Sequence, residues 1–304
     1  MHTKIIQYSF FLMQKCNMCG SLVVDHKILG KRLNQSQGKN PKNKIGITTT
    51  ICKCNQCGLI YPNPLPMPNN LQDHYGMPPE NYWKPEYFVV NEHDFNGVIE
   101  KSKELIDFNP GMKSLDVGAG IGKSIIAFTN AGFDAYGFEA SEPFYERAIS
   151  KMGVNPEKIQ LGMVEMVNYR ENYFDVITMK AVLEHFYDPS DSIQKALKWL
   201  KPNGVLKIDV PSSDWLISKL MNFYYKLKRT DYVSNLSPMH EPYHLYEFGL
   251  KSFQEHGKLN GYQVIDSEYS VCETFMPKFT DKIIKPYMKR TNTGMDLSVW
   301  IRKI

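Results

Sequence analysis

Five of the six cysteines lie between positions 16 and 57, and four of them form two Cys-x-x-Cys pairs, Cys16/Cys19 and Cys54/Cys57. Two pairs with 34 residues between them supply four thiolates, the donor set of a tetrahedral zinc ion. Paired disulfides are the alternative, which a reducing compartment disfavours. Four protein thiolates leave no open coordination position, so such a metal would hold structure rather than do chemistry. Cys52 stands as a spare beside the second pair. Cys272 stands alone and reads as a buried packing residue rather than a nucleophile.

A second group of residues points to a bound cofactor. Ser114 to Gly122 reads Ser-Leu-Asp-Val-Gly-Ala-Gly-Ile-Gly, a short apolar run ending in Gly118, Gly120 and Gly122. Glycine permits the sharp turn and lets a ligand approach atoms that a Cβ would block. Glu139 closes the next strand-like run, Ala135 to Phe138, about 20 residues on, where ribose hydroxyls can donate to it. Two common motifs overlap this stretch and each fails at one position. A dinucleotide fingerprint needs a third glycine where Lys123 stands, and a phosphate-binding loop needs a first glycine where Val117 stands.

Those residues need a frame, and the order of segments supplies one. Ser141-Glu142-Pro143 opens a helix with a capping residue and a proline in its first turn. Tyr173 to Met179 reads as a buried strand, followed by Leu183-Glu184-His185-Phe186-Tyr187-Asp188-Pro189. Ser190 to Leu200 has helical periodicity, Lys201 to Gly204 is a turn, and Val205 to Val210 is the next strand. From Gly249 a helix to about Leu259, a strand from Tyr262 to Glu268 and a last, antiparallel strand from Met295 to Ile304 continue the series. Strands alternating with helices imply a parallel sheet with right-handed crossovers.

The glycine loop, Glu139 and the run from Phe174 to Pro189 resemble the motifs of the class I S-adenosylmethionine-dependent methyltransferases, over residues 95 to 304. The fold expected is therefore α/β, a Rossmann-like seven-stranded methyltransferase sheet with a small N-terminal zinc-ribbon module. The resemblance implies that Glu139 accepts the ribose hydroxyls of S-adenosylmethionine. Gly118, Ala119, Gly120 and Gly122 would let its methionine part lie against the backbone, and Asp116 would face its ammonium or an ordered water. The other role open to Asp116 is to cap the loop through backbone N–H groups. Met163 and Val164 fall where relatives contact adenine, although many of those relatives carry an acid at the position of Met163.

The cysteine module carries a second resemblance. Cys57-Gly-Leu-Ile-Tyr-x-Asn-Pro64 is similar to a ribbon found in methyltransferases of bacterial sugar and glycan pathways. That implies a small, sugar-like acceptor, a nucleotide sugar or glycan precursor, with hydroxyl oxygen favoured over carbon or nitrogen. Such relatives carry a further large C-terminal domain, whereas the residues here end soon after the expected methyltransferase core, which argues against carrying over sugar C-methylation directly. The domains expected are a zinc ribbon over 13–61, a proline-rich linker and aromatic segment over 62–94, and the methyltransferase domain over 95–304. A cap insertion spans about 211–246. Lys27 to Lys44 reads as a mobile loop, and Tyr75, Tyr82, Trp83, Tyr87 and Phe88 line a substrate site or pack between domains.

The acceptor side rests on two histidines. His185 follows the fourth strand at the carboxyl edge, where open sheets bind ligands, and an imidazole can serve as general base. The alternative is that Glu184 and His185 order the loop. Some quinone O-methyltransferases hold a metal here with two acids and a histidine; Ala181 stands in the first acid's place, which argues against that site. His244 resembles the histidine that borders the acceptor site in relatives, and Pro242 prevents His240 and His244 from sharing a helix.

Composition narrows the partners. The 304 residues are 42% hydrophobic and 22% charged, with a net charge of +4, too mild to argue for nucleic acid. An RNA methyltransferase and a noncatalytic zinc-ribbon interaction protein are the competing readings; the missing basic stripe speaks against the first, the intact glycines and Glu139 against the second. No apolar run approaches a membrane span, and no cleavage site follows Phe10-Phe11-Leu12, so a cytoplasmic protein starting at Met1 or Met13 is expected. Leu216, Leu220, Phe223, Tyr224 and Leu227 recur at helical spacing among lysines. They read as a cap helix, with peripheral membrane contact through 214–229 as the alternative.

Overall fold

Each Cys-x-x-Cys pair ends in a glycine, and each glycine takes a left-handed conformation, Gly20 with φ +72° and Gly58 with φ +82°. The amide of Gly20 donates to the carbonyl of Cys16 and that of Gly58 to the carbonyl of Cys54, both at 2.9 Å. One turn is thus made twice, which aims two pairs of sulfurs at a common point. The computed structural model describes residues 7–33, 47–70, 83–91, 93–234, 244–272, 274 and 276–304.

Around these turns lie β1 (Tyr8–Phe11), β2 (Lys27–Leu33), β3 (Thr48–Lys53), β4 (Ile60–Pro62) and β5 (Leu65–Pro68). Strands β2, β3 and β4 form an antiparallel ribbon. The segment from Lys27, expected as a loop, begins as β2; its continuation over 34–46 lies outside the described residues. The proline-rich segment, expected as a linker, forms β5, paired antiparallel with β1. Proline has no N–H to donate, which a two-stranded edge tolerates.

The remainder alternates helix and strand: α1 (His93–Ile106), β6 (Lys113–Val117), α2 (Lys123–Asn130), β7 (Asp134–Glu139), α3 (Glu142–Ser150) and β8 (Ile159–Leu161). After these come β9 (Phe174–Lys180), α4 (Pro189–Trp199), β10 (Leu200–Pro211), α5 (Leu216–Leu227), α6 (Leu250–Asn260), β11 (Tyr262–Ser270), α7 (Lys278–Thr291) and β12 (Asp296–Lys303). The seven-stranded order is β11-β12-β10-β9-β6-β7-β8, parallel except for β12. The α/β Rossmann-like sheet expected from the sequence is present. β9 is buried along nearly its whole length, as a central parallel strand covered on both faces should be.

Local chemistry starts and stops these elements. Asp188 caps α4, its carboxylate accepting from the amides of Ser190 and Asp191, with Pro189 in the first turn. Ser141 precedes α3 as expected, but its hydroxyl makes no capping bond; its amide donates to Glu139 instead. The expected turn at 201–204 lies inside β10, where an irregularity shifts the pairing with β9 between Leu200 and Val205. Cys272 is exposed rather than buried, and its thiol donates to Asp296.

Two cores sandwich the sheet. Helices α1, α2 and α3 cover one face through Phe95, Ile99, Ile125, Phe128 and Ala148. Helices α4 and α6 cover the other, and the cysteine module joins the same cluster through Met18, Leu59 and Tyr61. Ile60 and Glu247 exchange backbone hydrogen bonds at 3.0 Å, and Arg32 of β2 pairs with the buried Glu247 at 2.7 Å. Breaking such a buried pair strands a charge away from water, which typically costs about 3–5 kcal/mol. Among the described residues no helix is long and apolar enough to cross a membrane.

Candidate active site

The strand order reverses between β6 and β9, since β7 and β8 run outward from β6 on one side and β10 from β9 on the other. Open parallel sheets bind ligands at this point, outside the carboxyl ends of the strands. The loops that leave β6 and β9 carry the two residue groups that the sequence singles out.

After β6 the three glycines are needed for three different reasons. Gly118 has φ +72°, and a Cβ there would lie 2.4 Å from Val182 Cγ1. Gly122 has φ +77° and precedes α2, where a Cβ would lie 2.6 Å from Val154 Cγ2. Gly120, with φ +55°, has nothing within 4 Å of its Cβ position and borders open space. The amides of Gly118 and Ala119 both donate to the Phe138 carbonyl, at 3.0 and 2.9 Å, which folds the loop against the end of β7.

Glu139 ends β7 and ties the loop from the other side. Its Oε2 accepts from the Gly120 amide at 2.7 Å and its Oε1 from the Ser141 amide at 2.8 Å. Burial raises its pKa, while those backbone donors pull the other way. A carboxylate offers about four lone-pair sites, so capacity remains beyond the backbone donors for a hydroxyl. Asp116 is deeply buried, and burial raises its pKa to about 6 against the lowering effect of hydrogen bonds from Thr178 and Ser124. The Thr178 hydroxyl donates to Asp116 at 2.5 Å.

A cavity of about 780 Å³ opens beside the loop. Asp116, Gly118, Ala119 and Gly120 stand on its wall, whereas Gly122, Glu139, Met163 and Val164 do not. The Gly162 amide donates to the Glu139 carbonyl at 2.9 Å, so the segment carrying Met163 and the buried Val164 adjoins Glu139 from the β8 side. The lining also includes Lys180, Lys207, Asp209 and Ser298, none of which the sequence singled out. Their signal was present, since Thr178 and Lys180 are polar residues two apart at the end of an otherwise apolar strand. Tyr87 also lines the cavity, with the Lys123 ammonium 4.6 Å from its ring centre. Trp83 packs instead against Phe144 and the Arg147 guanidinium. Tyr75 and Tyr82 lie outside the described residues.

After β9 a single turn, Leu183–His185, carries the second group. The Glu184 carbonyl accepts the amides of Leu245 at 2.7 Å and Tyr246 at 3.2 Å, bringing His244 to the same place. Glu184 Oε1 lies 4.0 Å from His185 Nε2 and 3.7 Å from His244 Nε2. The two imidazole rings meet edge to face with centres 4.9 Å apart. Glu184 is 1% exposed, its Oε2 has no hydrogen-bond partner among the described residues, and burial raises its pKa to about 8. The ligating atoms of the three residues lie within 4.8 Å of one another, so this set could also hold a divalent cation. His240 and Glu241 lie outside the described residues.

The four cysteines converge beside the segment that follows His244, in one buried cluster with Leu245 and Tyr246. Cys16 and Cys57 sulfurs are 3.6 Å apart and Cys19 and Cys54 sulfurs 3.5 Å apart, and all four lie within 4.8 Å. These are contacts between free thiols, not disulfides. A Zn–S bond of ~2.3 Å in a tetrahedron gives sulfur–sulfur edges of roughly 3.8 Å, so the residues fit zinc. Outer support comes from residues that the sequence did not single out. The Ser21 hydroxyl lies 3.1 Å from both Cys19 and Cys54 sulfurs and 2.9 Å from His26 Nε2, and His26 Nδ1 meets the Tyr61 hydroxyl at 2.5 Å.

Comparison with known proteins agrees with this geometry. A family model described as a methyltransferase domain matches residues 90–267. A ubiquinone biosynthesis O-methyltransferase of Bordetella avium is 26% identical over 179 residues, covering 56% of this chain and 69% of that protein. Its counterpart in Methylococcus capsulatus is 26% identical over 44% of this chain, which spans 58% of that protein's length. Among solved structures, the magnesium protoporphyrin IX methyltransferase of Synechocystis aligns with a TM-score of 0.49 and 14% identity, over 77% of this chain and 93% of that one. The family match runs through the glycine loop, Glu139 and the Glu184–His185 turn, and on that extent the chain belongs to the methyltransferase-domain family, the class that takes its methyl group from S-adenosylmethionine.

Proposed function

We propose that the protein transfers a methyl group from S-adenosylmethionine to a hydroxyl oxygen of a small, sugar-like acceptor, a nucleotide sugar or glycan precursor. The observation that carries the reading is the meeting of two loops at the switch point. Val182 packs against Gly118 of the cofactor loop, and Glu184 and His185 follow directly. The O-methyltransferases among its relatives favour an oxygen acceptor. The cavity walls carry Lys180, Lys207, Asp209 and Ser298 beside Phe95, Met179 and Trp300, so polar groups that can bind hydroxyls stand next to flat apolar side chains, as a sugar ring needs. The likeness of the cysteine ribbon to those of glycan-pathway enzymes points the same way.

S-adenosylmethionine, when bound, supplies a sulfonium-activated methyl group. The remaining lone pairs of Glu139 would accept its ribose hydroxyls, and Met163 and Val164 would flank its adenine. Asp116 would face its ammonium, and the open side of Gly120 would let its methionine part pass. His185 or His244 would hold the acceptor hydroxyl and take its proton, a role suited to an imidazole base. Buried Glu184 would position both rings. Cys16, Cys19, Cys54 and Cys57 would hold a structural zinc ion, supporting the face opposite α1, α2 and α3. Orientation and exclusion of water then supply most of the remaining acceleration.

Calorimetry with Glu139→Ala tests the cofactor side. Loss of the carboxylate should weaken S-adenosylmethionine binding at least about 30-fold, or roughly 2 kcal/mol, the worth of one or two hydrogen bonds to a charged group. The melting temperature should also drop, because the Gly120 and Ser141 amides lose their acceptor. Unchanged affinity would sink the ribose assignment.

The pH dependence of binding follows from Asp116. Its folded pKa, about 6, lies above the ordinary carboxylate value. An acid raised in this way lets the unliganded fold keep a proton that the unfolded chain has lost, so its contribution to stability falls as pH rises from about 4 to 6. Cofactor binding has the opposite sign, because the ammonium needs the ionised form. Affinity for S-adenosylmethionine should therefore fall up to about tenfold per pH unit below 6. Asp116→Asn should flatten that slope, and a wild-type affinity independent of pH between 5 and 7 would refute the role.

A further inference from the structure

We propose that α5 and α7 together form a docking face for an anionic phospholipid surface. α7 turns Phe279, Ile283 and Tyr287 outward at four-residue intervals, the first two 78% and 77% exposed. α5 turns out Leu220, Phe223, Tyr224 and Leu227, with Phe223 61% and Leu227 67% exposed. The opposite sides of both helices are spent on a shared core in which Ile217 and Met221 of α5 meet Ile284 and Met288 of α7. The outward stripes are thus surplus to folding. Apolar side chains exposed at regular helical spacing, rather than singly, mark an interaction site.

Charge identifies the occupant. Lys219, Lys226, Lys228 and Arg229 surround the α5 stripe, and Lys278, Lys282, Lys285, Lys289 and Arg290 surround that of α7. These two short stretches hold nine of the 36 lysines and arginines but only two of the 32 acids, Asp214 and Asp281. Both acids are matched already, by Lys219 at 3.1 Å and Lys285 at 3.4 Å. With an overall charge of +4, the rest of the chain is net negative. Aliphatic and aromatic side chains ringed by lysine are the composition of a helix lying in a lipid headgroup layer, where cations meet phosphate and the apolar ridge enters the acyl boundary. A polynucleotide would use the cations but leave the leucine and isoleucine ridges wet.

The placement also makes sense for an enzyme. β10 leads into α5, and α7 leads into the antiparallel β12, so both helices rise from the edge of the sheet that holds the cofactor loop and Glu184. The docking face would hold that edge near the membrane, whatever the acceptor proves to be.

Co-sedimentation of the full chain with vesicles tests the proposal. Binding to phosphatidylcholine vesicles containing about 30% phosphatidylglycerol should exceed binding to pure phosphatidylcholine at least tenfold, and should weaken as added salt shortens the screening length. Phe279→Ser with Ile283→Ser removes only exposed side chains and should reduce that binding about tenfold, with melting temperature and S-adenosylmethionine affinity unchanged. Lys282→Glu with Lys289→Glu should do the same through charge. Equal binding to both vesicle types, or undiminished binding by both variants, would overturn the proposal. So would light scattering in which the apolar pair abolishes a dimer while vesicle binding is absent, because the occupant would then be a second copy.

Discussion

Serine at position 54 should strip the cysteine centre of zinc and open the N-terminal module. Metal analysis of the wild type should give one zinc per chain, and of Cys54→Ser close to none. The effect is large because a structural zinc binds with on the order of 10 kcal/mol, comparable to the whole net stability of an ordinary domain. Its consequences should spread beyond the module. Leu59 and Tyr61 share a buried cluster with Tyr246 and Phe248, and Glu247 exchanges backbone hydrogen bonds with Ile60. His244 precedes that same segment, so loss of zinc should lower methyl transfer as well as melting temperature. A metal-free wild type that melts like the zinc-loaded form would refute the centre. Cys52→Ser serves as the control, because Cys52 is not among the four clustered sulfurs.

The second large effect is expected in turnover. His185→Ala or His244→Ala should lower kcat roughly 100- to 10,000-fold, the range for loss of general acid–base catalysis. S-adenosylmethionine affinity should stay within about twofold, because the role proposed for both imidazoles is toward the acceptor and not the cofactor. If the two rings act as one unit, the double variant should be no slower than the worse single one. Glu184→Gln should reduce kcat through positioning alone, because the carboxylate lies between both Nε2 atoms and would not touch the acceptor. Kinetics in which all three variants retain wild-type kcat would refute the acceptor-side assignment.

How far the sequence reaches differs between the two halves of the site. The glycine loop was legible because the need for positive φ is local, and Gly118, Gly120 and Gly122 each adopt it. The end of β7 at Glu139 was legible because a buried strand announces itself as a short apolar run. The bond from Glu139 to the Gly120 amide was not, since it depends on β6 and β7 lying side by side. For the same reason sequence misplaces Cys272: a small apolar residue suggests burial, but its position after β11 leaves it exposed. The prolines of β5 suggest a linker because sequence shows the missing N–H and not the partner strand.

By itself the sequence determined the alternation of helix and strand, the turns that need glycine and the two cysteine pairs. All of these follow from backbone geometry or from spacing within a few residues. Only the tertiary structure decided which distant groups meet. The crossovers place β9 parallel beside β6, so Val182 touches Gly118 and the Glu184 carbonyl draws in the segment of His244. Packing also decided which apolar faces were consumed: Met288 and Ile217 found each other, and Phe279, Ile283 and Phe223 were left outside among lysines. Helical periodicity records that a face is apolar, whereas the burial of that face depends on what the rest of the chain brings against it.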